Sequence, residues 1–527
     1  MAILDNFREK DFLDQITILN DISGNKDPEA LPDLLALLKK PVGDTSIDYM
    51  VVNALNAVLS NNEAKVVEGL SDPHDGFRIL CIRVAGEHGL QSAAAPLAAM
   101  AATEADVDRL MEILTSLAHI GDPSSVPTFR LYLGHEDPFI QSACIEALGR
   151  LDDEESIPSF QAMIEESEAP GRYENCDLTT WKAVEALAAF ESRETVEFLV
   201  QKLHHKNPTV RRIITDALVS IGPSCIPMLF KAFETGDKDL RILAVNVIGF
   251  LGDRLGADGL VAAFDKGLVD DQNLRYAVYE SLGRIGSMKG LICLVDGLAE
   301  TDELILMAVI GGLEKHVNPG MIATLGKRIA KADDHSDRLC KAVIASRATR
   351  IFDALYENAG AGDGLIEALA QSRDPEVVAD FRNLLAEIGG PRAEEDLARL
   401  PDLSSGARKA LAADDSRSMC AMHRAILTDL GFEPSLASNG EEAYDFIAQG
   451  DLFDIIITDM NMPVMDGMEL VGKIRSTPGY EDVPIIMVTT ESEADQQTLA
   501  AKTGVTAFVT KPFKPETLKA KIEELLD

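Results

Sequence analysis

The stretch that decides the fold of the C-terminal part reads Ile455-Ile-Ile-Thr-Asp459-Met-Asn-Met-Pro463-Val-Met-Asp-Gly467. It belongs to a series in which short apolar runs alternate with amphipathic helical patterns. The predicted strands cover residues 409–413, 432–437, 454–458, 484–489 and 506–510. Strands that alternate with helices are typical of βαβ units and a parallel sheet. The sequence therefore predicts an α/β domain over residues 408–527.

Polar residues stand at the ends of four of these strands. Asp414 and Asp415 follow the first strand, Asp459 follows the third, Thr489 closes the fourth and Lys511 follows the fifth. In the flavodoxin-like strand order 2-1-3-4-5, strands one and three are neighbours, so the three carboxylates should converge. Like charges raise one another's pKa unless a cation is present. A hard divalent ion with oxygen ligands, Mg²⁺, is therefore the predicted cofactor.

These motifs resemble the receiver domain of response regulators, and they resemble the chemotaxis type most. The resemblance rests on the quoted stretch, the Asp414-Asp415 pair, Met487-Val-Thr489 and Lys511-Pro512-Phe513, which agree with the family in kind, order and spacing. It implies a flavodoxin-like (βα)₅ fold. It also implies that Asp459 accepts a phosphoryl group from a sensor histidine kinase or a histidine phosphotransfer protein.

The resemblance assigns the metal ligands as well. Asp415 and Asp459 would bind Mg²⁺ directly, together with the backbone carbonyl of Asn461. Asp414 would act through water. The implied metal site is thus Asp414, Asp415, Asp459 and Asn461.

Further residues are implied to handle the phosphoryl group. Lys511 would pair with one phosphoryl oxygen and Thr489 would donate its hydroxyl to another. Phe508, which stands where the chemotaxis protein has Tyr, would turn inward as Thr489 moves. Asn461 and Glu491 would set the lifetime of the acyl phosphate.

The N-terminal part shows a helical period from about residue 30 to about residue 390, with apolar residues at i, i+3, i+4 and i+7 and breaks at Gly, Pro or Asp. Three segments align with one another: Val210–Gly222, Leu240–Gly252 and Leu274–Gly286. Such a period predicts two-helix repeats. The segments resemble the short bacterial form of HEAT-like repeats, which implies an α-helical solenoid with a concave surface for a protein partner.

One arginine recurs at the same place in the repeat, as Arg78, Arg211, Arg241 and Arg275. These side chains are expected to brace neighbouring turns by pairing with carboxylates and carbonyls. The alternative is a ladder that grips an acidic partner.

The domain organisation follows from these patterns. We predict a HEAT-like α-helical repeat domain over residues 1–400, a linker rich in Ser and Gly over 401–407, and a receiver domain over 408–527. The fold class is therefore multidomain: an all-α HEAT-like solenoid followed by an α/β flavodoxin-like receiver.

Composition restricts the partners. The formal net charge of −38 disfavours nucleic acid and anionic membranes, because both require Lys and Arg on the binding surface. Seven cysteines without a CxxC pair are typical of reduced thiols, so a cytoplasmic location is expected. No apolar run reaches the roughly 20 residues that span a bilayer, so membrane insertion is not expected.

The predicted function is that of a two-component response regulator in a phosphorelay. Phosphorylation of Asp459 would regulate binding of a so far unknown protein to the solenoid. The chain is expected to be a phosphoacceptor and interaction protein, not an enzyme. One alternative is a receiver-gated enzyme of the HEAT-like lyase or hydroxylase type. Gly134-His135-Glu136 resembles the His-Glu pairs of iron-binding HEAT-repeat hydroxylases, although a single pair favours a turn at a helix end. The other alternative is a phosphate sink for a histidine kinase.

Overall fold

The computed structural model of the chain describes every residue except 1–3, 5, 170, 171, 173–175, 359, 402–407, 490–500, 512 and 527. It divides into two compact units. Unit 1 comprises residues 1–167 and 177–191, and unit 2 comprises residues 168–176 and 192–527.

Unit 1 consists of helices. Many begin at an Asp or Asn whose side chain accepts a hydrogen bond from the first turn, as Asp106 does from the backbone N–H of Arg109. The α-helices are α1 (Phe12–Asn25), α2 (Leu31–Lys39), α3 (Thr45–Leu59), α4 (Glu63–Gly69), α5 (Asp75–Glu87), α6 (Ala94–Ala101), α7 (Val107–Ile120), α8 (Val126–Leu131), α9 (Pro138–Arg150), α10 (Ile157–Ser167) and α11 (Leu178–Ala189). One-turn 3₁₀ segments occur at Phe7–Glu9, Pro28–Ala30, Gln91–Ala93, Pro123–Ser125 and Glu154–Ser156.

Unit 2 begins with more helices of the same kind. They are α12 (Arg193–Gln201), α13 (Pro208–Ile221), α14 (Ile226–Thr235), α15 (Lys238–Leu251), α16 (Arg254–Asp265), α17 (Gln272–Ile285), α18 (Met288–Gly297), α19 (Glu303–Glu314), α20 (Pro319–Ile329), α21 (Asp334–Ala345), α22 (Thr349–Tyr356), α23 (Ala361–Ala370), α24 (Pro375–Ile388) and α25 (Gly390–Arg399), with 3₁₀ turns at Lys202–His204 and Pro223–Cys225. The predicted all-α character of the N-terminal part is confirmed.

The three aligned sequence segments correspond to α13, α15 and α17. Each of these helices ends at a glycine with positive φ, a backbone conformation that an L side chain rarely adopts: Gly222 (φ 86°), Gly252 (φ 65°) and Gly286 (φ 66°). The glycine of the repeat therefore stops the first helix and turns the chain towards the second.

Three of the recurring arginines pair within the helical region. Arg78 Nη1 donates to the carbonyl oxygen of Asp72 at 2.9 Å. Arg241 Nη1 lies 3.2 Å from Asp270 Oδ1, and Arg275 Nη1 lies 3.1 Å from Glu300 Oε1. These contacts agree with the bracing interpretation, whereas the fourth arginine, Arg211, has additional contacts described below.

The C-terminal part of unit 2 is a five-stranded parallel sheet with helices. Its elements are β1 (Arg408–Ala413), α26 (Arg417–Asp429), β2 (Phe432–Ala437), α27 (Gly440–Ala448), β3 (Ile455–Asp459), α28 (Gly467–Arg475), β4 (Ile485–Thr489), β5 (Ala507–Thr510) and α29 (Pro515–Leu526). The strand order is β2-β1-β3-β4-β5, and all four pairings are parallel. The predicted flavodoxin-like fold is confirmed.

The strand bounds differ from the predicted ones by at most one residue. Asp459 was expected to follow the third strand, but it is the last residue of β3, because its pairing with Val488 extends the ladder by one position. The side chain still lies at the carboxyl end of the sheet. None of the described helices is by itself long and apolar enough to cross a membrane. Helix α13 and the segment Pro223–Thr235 together have the length and composition of such a span, but they are bent by 106° relative to each other.

Candidate functional site

Three carboxylates meet at the carboxyl end of the sheet. Asp414 and Asp415 directly follow β1, and Asp459 ends the neighbouring strand β3. Each offers one oxygen, and these oxygens lie within 4.8 Å of one another. Within the described part of the chain, this is the one group of three or more His, Cys, Asp or Glu side chains with such spacing. The topology therefore brings together the three residues that the sequence predicted to converge.

Lys511 reaches the same place from the end of β5. Its Nζ lies 2.8 Å from Asp414 Oδ2 and 3.2 Å from Asp459 Oδ1, and the side chain is 11% exposed. Burial by itself lowers the pKa of Lys511, but the Asp414 and Asp459 carboxylates outweigh burial and raise it. The ammonium group is therefore charged, and it contacts both Asp414 and Asp459.

The site is short of positive charge. Burial raises the pKa of Asp459 to about 8, since the lowering effect of Lys511 is offset by the negative charges of Asp414 and Asp415. Burial also raises the pKa of Asp415. Three carboxylates with this charge deficit fit a hard divalent cation, which would favour their ionised forms. Receiver domains bind Mg²⁺ at this kind of acidic site.

Thr489 and Phe508 lie on the neighbouring strands. Thr489 is buried at the end of β4, and its carbonyl oxygen accepts a hydrogen bond of 2.6 Å from the backbone N–H of Lys511. Its hydroxyl lies 3.9 Å from the sulfur of Met460. Phe508 on β5 is half-buried and packs against the core of the receiver. Glu491, predicted to tune the phosphoryl lifetime, lies outside the described residues.

The loop between β3 and α28 is fixed by its contacts. Asp459 Oδ1 accepts from the backbone N–H of Met460 at 2.9 Å. The Asp466 side chain caps α28 by accepting hydrogen bonds from the backbone N–H groups of Met468 and Glu469. The Glu469 side chain in turn accepts a hydrogen bond from the backbone N–H of Asp466, which completes a capping box. A Cβ at Gly467 would overlap the carbonyl oxygen of Asp459, so only glycine lets α28 start this close to the site.

Asn461 lies in this loop, and its side chain accepts hydrogen bonds from the helical region. Arg211 of α13 donates from Nε and Nη2 to Asn461 Oδ1, at 3.3 and 3.2 Å. The same Nη2 lies 3.4 Å from the sulfur of Met460. The structure thus places Asn461 beside the three carboxylates and also in contact with the repeats.

Sequence reasoning missed the helical residues that border the site. Arg284 of α17 donates from Nη2 to Asp415 Oδ2 at 2.8 Å, and Asn273 donates from Nδ2 to the carbonyl oxygen of Lys511 at 2.9 Å. A cavity of about 340 Å³ lies between these residues and the carboxylates. The recurrence of Arg211 in the repeat was the one available signal, and it could not distinguish a bracing arginine from one that also reaches another domain.

The fold and site define a receiver domain joined to helical repeats, and comparison with known proteins agrees. The model of the response regulator receiver domain matches residues 410–523, and that of HEAT repeats matches residues 108–176. The chain is 44% identical over 119 residues to a chemotaxis protein CheY homologue of Campylobacter jejuni, which covers 22% of this chain and 92% of that protein. It is 40% identical over 119 residues to chemotaxis protein CheY1 of Helicobacter pylori, covering 22% of this chain and 96% of that protein.

A solved structure of the chemotaxis response regulator CheY4 of Vibrio cholerae is also similar, with 40% identity, 23% of this chain and 100% of that chain covered, and a TM-score of 0.22. Through its C-terminal domain, this chain belongs to the response regulator receiver family, and residues 108–176 of its N-terminal part match HEAT repeats. The resemblance that the sequence motifs indicated is confirmed. Receiver domains of this family are phosphoacceptor regulators of two-component signalling.

Proposed function

We propose that this protein is a response regulator that accepts one phosphoryl group on Asp459 and thereby regulates a protein–protein interaction of its HEAT-like repeats. The observation that supports the proposal is the contact of Lys511 with both Asp414 and Asp459, beside Asp415, at the carboxyl end of a receiver sheet. This arrangement combines a carboxylate nucleophile with a fixed cation and a set of metal-binding oxygens.

The chemistry would be an in-line phosphoryl transfer. A carboxylate oxygen of Asp459 attacks the phosphorus of a phosphohistidine on a sensor kinase or a phosphotransfer protein. A P–O bond forms as the P–N bond breaks, and the imidazole of the donor leaves with the electron pair of that bond. Lys511, already 3.2 Å from Asp459 Oδ1, then pairs with a phosphoryl oxygen, and the hydroxyl of Thr489 donates to another.

The residues assigned to the metal are Asp414, Asp415, Asp459 and the backbone carbonyl of Asn461. When Mg²⁺ is bound, it neutralises charge on the phosphoryl oxygens and on the carboxylates. The protein's own part is to keep the acidic residues together: β1 and β3 pair directly, and the loop after β3 is fixed by the cap of α28.

The remaining assignments concern the response to phosphorylation. Thr489 and Phe508 would form the switch, since they lie on adjacent strands and Phe508 is half-buried against the core of the receiver. Asn461 and Glu491 would set how long the phosphoryl group persists. The repeat domain would cover residues 1–400, the linker 401–407 and the receiver 408–527.

The test is phosphate incorporation, read by intact mass after the purified protein is incubated with acetyl phosphate and Mg²⁺. Wild type is expected to gain one phosphoryl group and Asp459→Asn none. Asp454→Asn is the matched control, because Asp454 is an exposed carboxylate just before the same strand and loses the same charge. It is expected to be phosphorylated like wild type.

Two results would contradict the proposal. An unmodified wild type would show that the site does not accept a phosphoryl group. Modification of Asp459→Asn to the same extent as wild type would place the phosphoryl group elsewhere. Affinity capture of partners with the repeats, in the phosphorylated and unphosphorylated states, then tests the regulatory part: identical partner sets in both states would argue against it.

A further inference from the structure

The receiver site is covered by one face of the helical repeats. This docking face consists of Arg211 on α13 and of Asn273, Tyr276, Glu280 and Arg284 on α17. Its members contact each of the three chain segments that form the site: the loop after β1, the loop after β3 and the end of β5. These contacts join residues more than 130 positions apart in sequence.

The loop after β1 is held most closely. The Tyr276 hydroxyl hydrogen-bonds with Ser416 and, at 3.1 Å, with Ser418, while Glu280 Oε1 accepts from both serines. Ser416 caps α26 and directly follows Asp415. Tyr276 is half-buried at this contact, and burial raises the pKa of its hydroxyl well above the usual range. The docking face therefore fixes the loop that carries two of the three carboxylates.

Arg284 contacts one of the three carboxylates directly. Its guanidinium bonds to Asp415 Oδ2 at 2.8 Å and stacks on the ring of Phe250, with 4.4 Å from Cζ to the ring centroid. Both side chains are about four-fifths buried, since Arg284 is 20% and Asp415 18% exposed. A partly buried, hydrogen-bonded ion pair is little screened by salt. It supplies at Asp415 a positive charge that a divalent cation would otherwise supply.

Access is restricted as well. Asp459 is 7% exposed, and the cavity of about 340 Å³ over it is lined by Arg211 and Arg284 opposite Asp414 and Lys511. A phosphohistidine on another protein would have to reach Asp459 through the space between the receiver loops and α17, where Arg284 and Tyr276 bond to the loop after β1.

We propose that the docking face is an intramolecular clamp on the receiver site, and that Arg284 competes with the divalent cation for Asp415. Binding of the cation displaces Arg284, weakens the clamp and exposes both Asp459 and the docking face. The surface of α13 and α17 then becomes available to another protein. The inference rests on the proposed function, because it assumes that a divalent cation binds at the site.

The first experiment is titration calorimetry with Mg²⁺ on the intact chain, comparing wild type with Arg284→Gln. Arg275→Gln is the matched control: it removes the same charge from the same helix, but Arg275 pairs with Glu300 inside the repeats. Arg284→Gln is expected to bind Mg²⁺ about 10-fold tighter than wild type. Arg275→Gln is expected to stay within about 2-fold of wild type, because its charge is not at the site.

The second experiment follows hydrogen exchange in wild type, so it does not depend on whether a variant folds. Mg²⁺ is expected to accelerate exchange of the amides of α13 and α17 that lie under the receiver, relative to α7 of unit 1, which carries no residue of the docking face. Equal exchange with and without Mg²⁺ would overturn the clamp. Equal Mg²⁺ affinity of Arg284→Gln and wild type, or no binding to either, would overturn the competition.

Failure of the inference and of the proposed function can be told apart. If wild type is phosphorylated on Asp459 while the Mg²⁺ affinity is the same in both proteins, the clamp is wrong and the phosphoacceptor function stands. If Arg284→Gln binds Mg²⁺ tighter and exchange accelerates while no phosphoryl group is incorporated, the clamp stands and the phosphoacceptor function is wrong.

Discussion

Binding of Mg²⁺ to this protein should release a proton at neutral pH. The pKa of Asp459, raised by burial to about 8, means that the carboxyl holds a proton at pH 7 in the absence of a cation. A carboxyl must lose that proton to become a metal ligand. The perturbation is therefore addition of Mg²⁺ at pH 7 and at pH 9, to wild type and to Asp459→Asn.

The magnitude follows from the pKa of this one group. With a pKa of about 8, the protonated fraction of Asp459 is about 0.9 at pH 7 and about 0.1 at pH 9. About 0.9 proton should therefore leave per Mg²⁺ bound at pH 7. Asp415, whose pKa burial also raises, can only add to this number. For the same reason, the apparent Mg²⁺ affinity should fall about tenfold for each pH unit below 8.

The assay is titration calorimetry in two buffers with different ionisation enthalpies, since the difference in heat gives the number of protons exchanged. Asp459→Asn should release about 0.9 proton less than wild type at pH 7, because it lacks the titrating group. Asp454→Asn should behave like wild type. A wild-type release near zero at pH 7, or one that is the same at pH 7 and pH 9, would refute the reasoning.

Gly467→Ala is expected to lower the free energy of unfolding by about 1–3 kcal/mol, because its Cβ would overlap the carbonyl oxygen of Asp459. Gly472→Ala in the same helix is the control: its Cβ meets no atom within 4 Å, so it should raise that free energy by about 0.5–1 kcal/mol. Urea unfolding measures both changes, and similar effects would contradict the close approach of Gly467 to the Asp459 carbonyl oxygen. Leu411→Ala, at a position with 0% exposure in the core of the sheet, should cost about 2–5 kcal/mol by the same measurement, and a cost under about 1 kcal/mol would argue against the observed packing. Asp466→Ala removes the cap of α28 and should cost about 1 kcal/mol, seen as a lower midpoint of thermal unfolding; an unchanged midpoint would show that the cap does not stabilise this helix.

Local sequence patterns were sufficient for most of the receiver fold. Each strand was found within one residue of its predicted bounds, including β1, whose Ala410, Leu411, Ala412 and Ala413 have low intrinsic β preference and are all fully buried. Burial between β2 and β3 outweighs that preference, because a central strand is stabilised chiefly by its neighbours on both sides.

The sequence also determined which residues form the acidic site. A parallel sheet brings the carboxyl ends of its strands to one edge, so the order of the strands is enough to unite Asp414, Asp415 and Asp459, and to bring Lys511 to them. The helical repeats followed in the same way from a period in apolar residues and from glycines that stop the first helix of each pair. These features depend on contacts between near neighbours or on one repeated topology.

Tertiary structure alone decided that the repeats and the receiver site meet. Arg284 and Asp415 are 131 positions apart in the sequence. The helical period predicts that Arg284 lies outside the apolar stripe of its helix, but it does not predict which residue Arg284 contacts. Arg211 and Arg275 occupy equivalent positions in the repeat, yet one reaches Asn461 and the other pairs with Glu300. The choice depends on which helix surface the receiver rests on, and that is set by the packing of whole domains, which no local pattern in the sequence encodes.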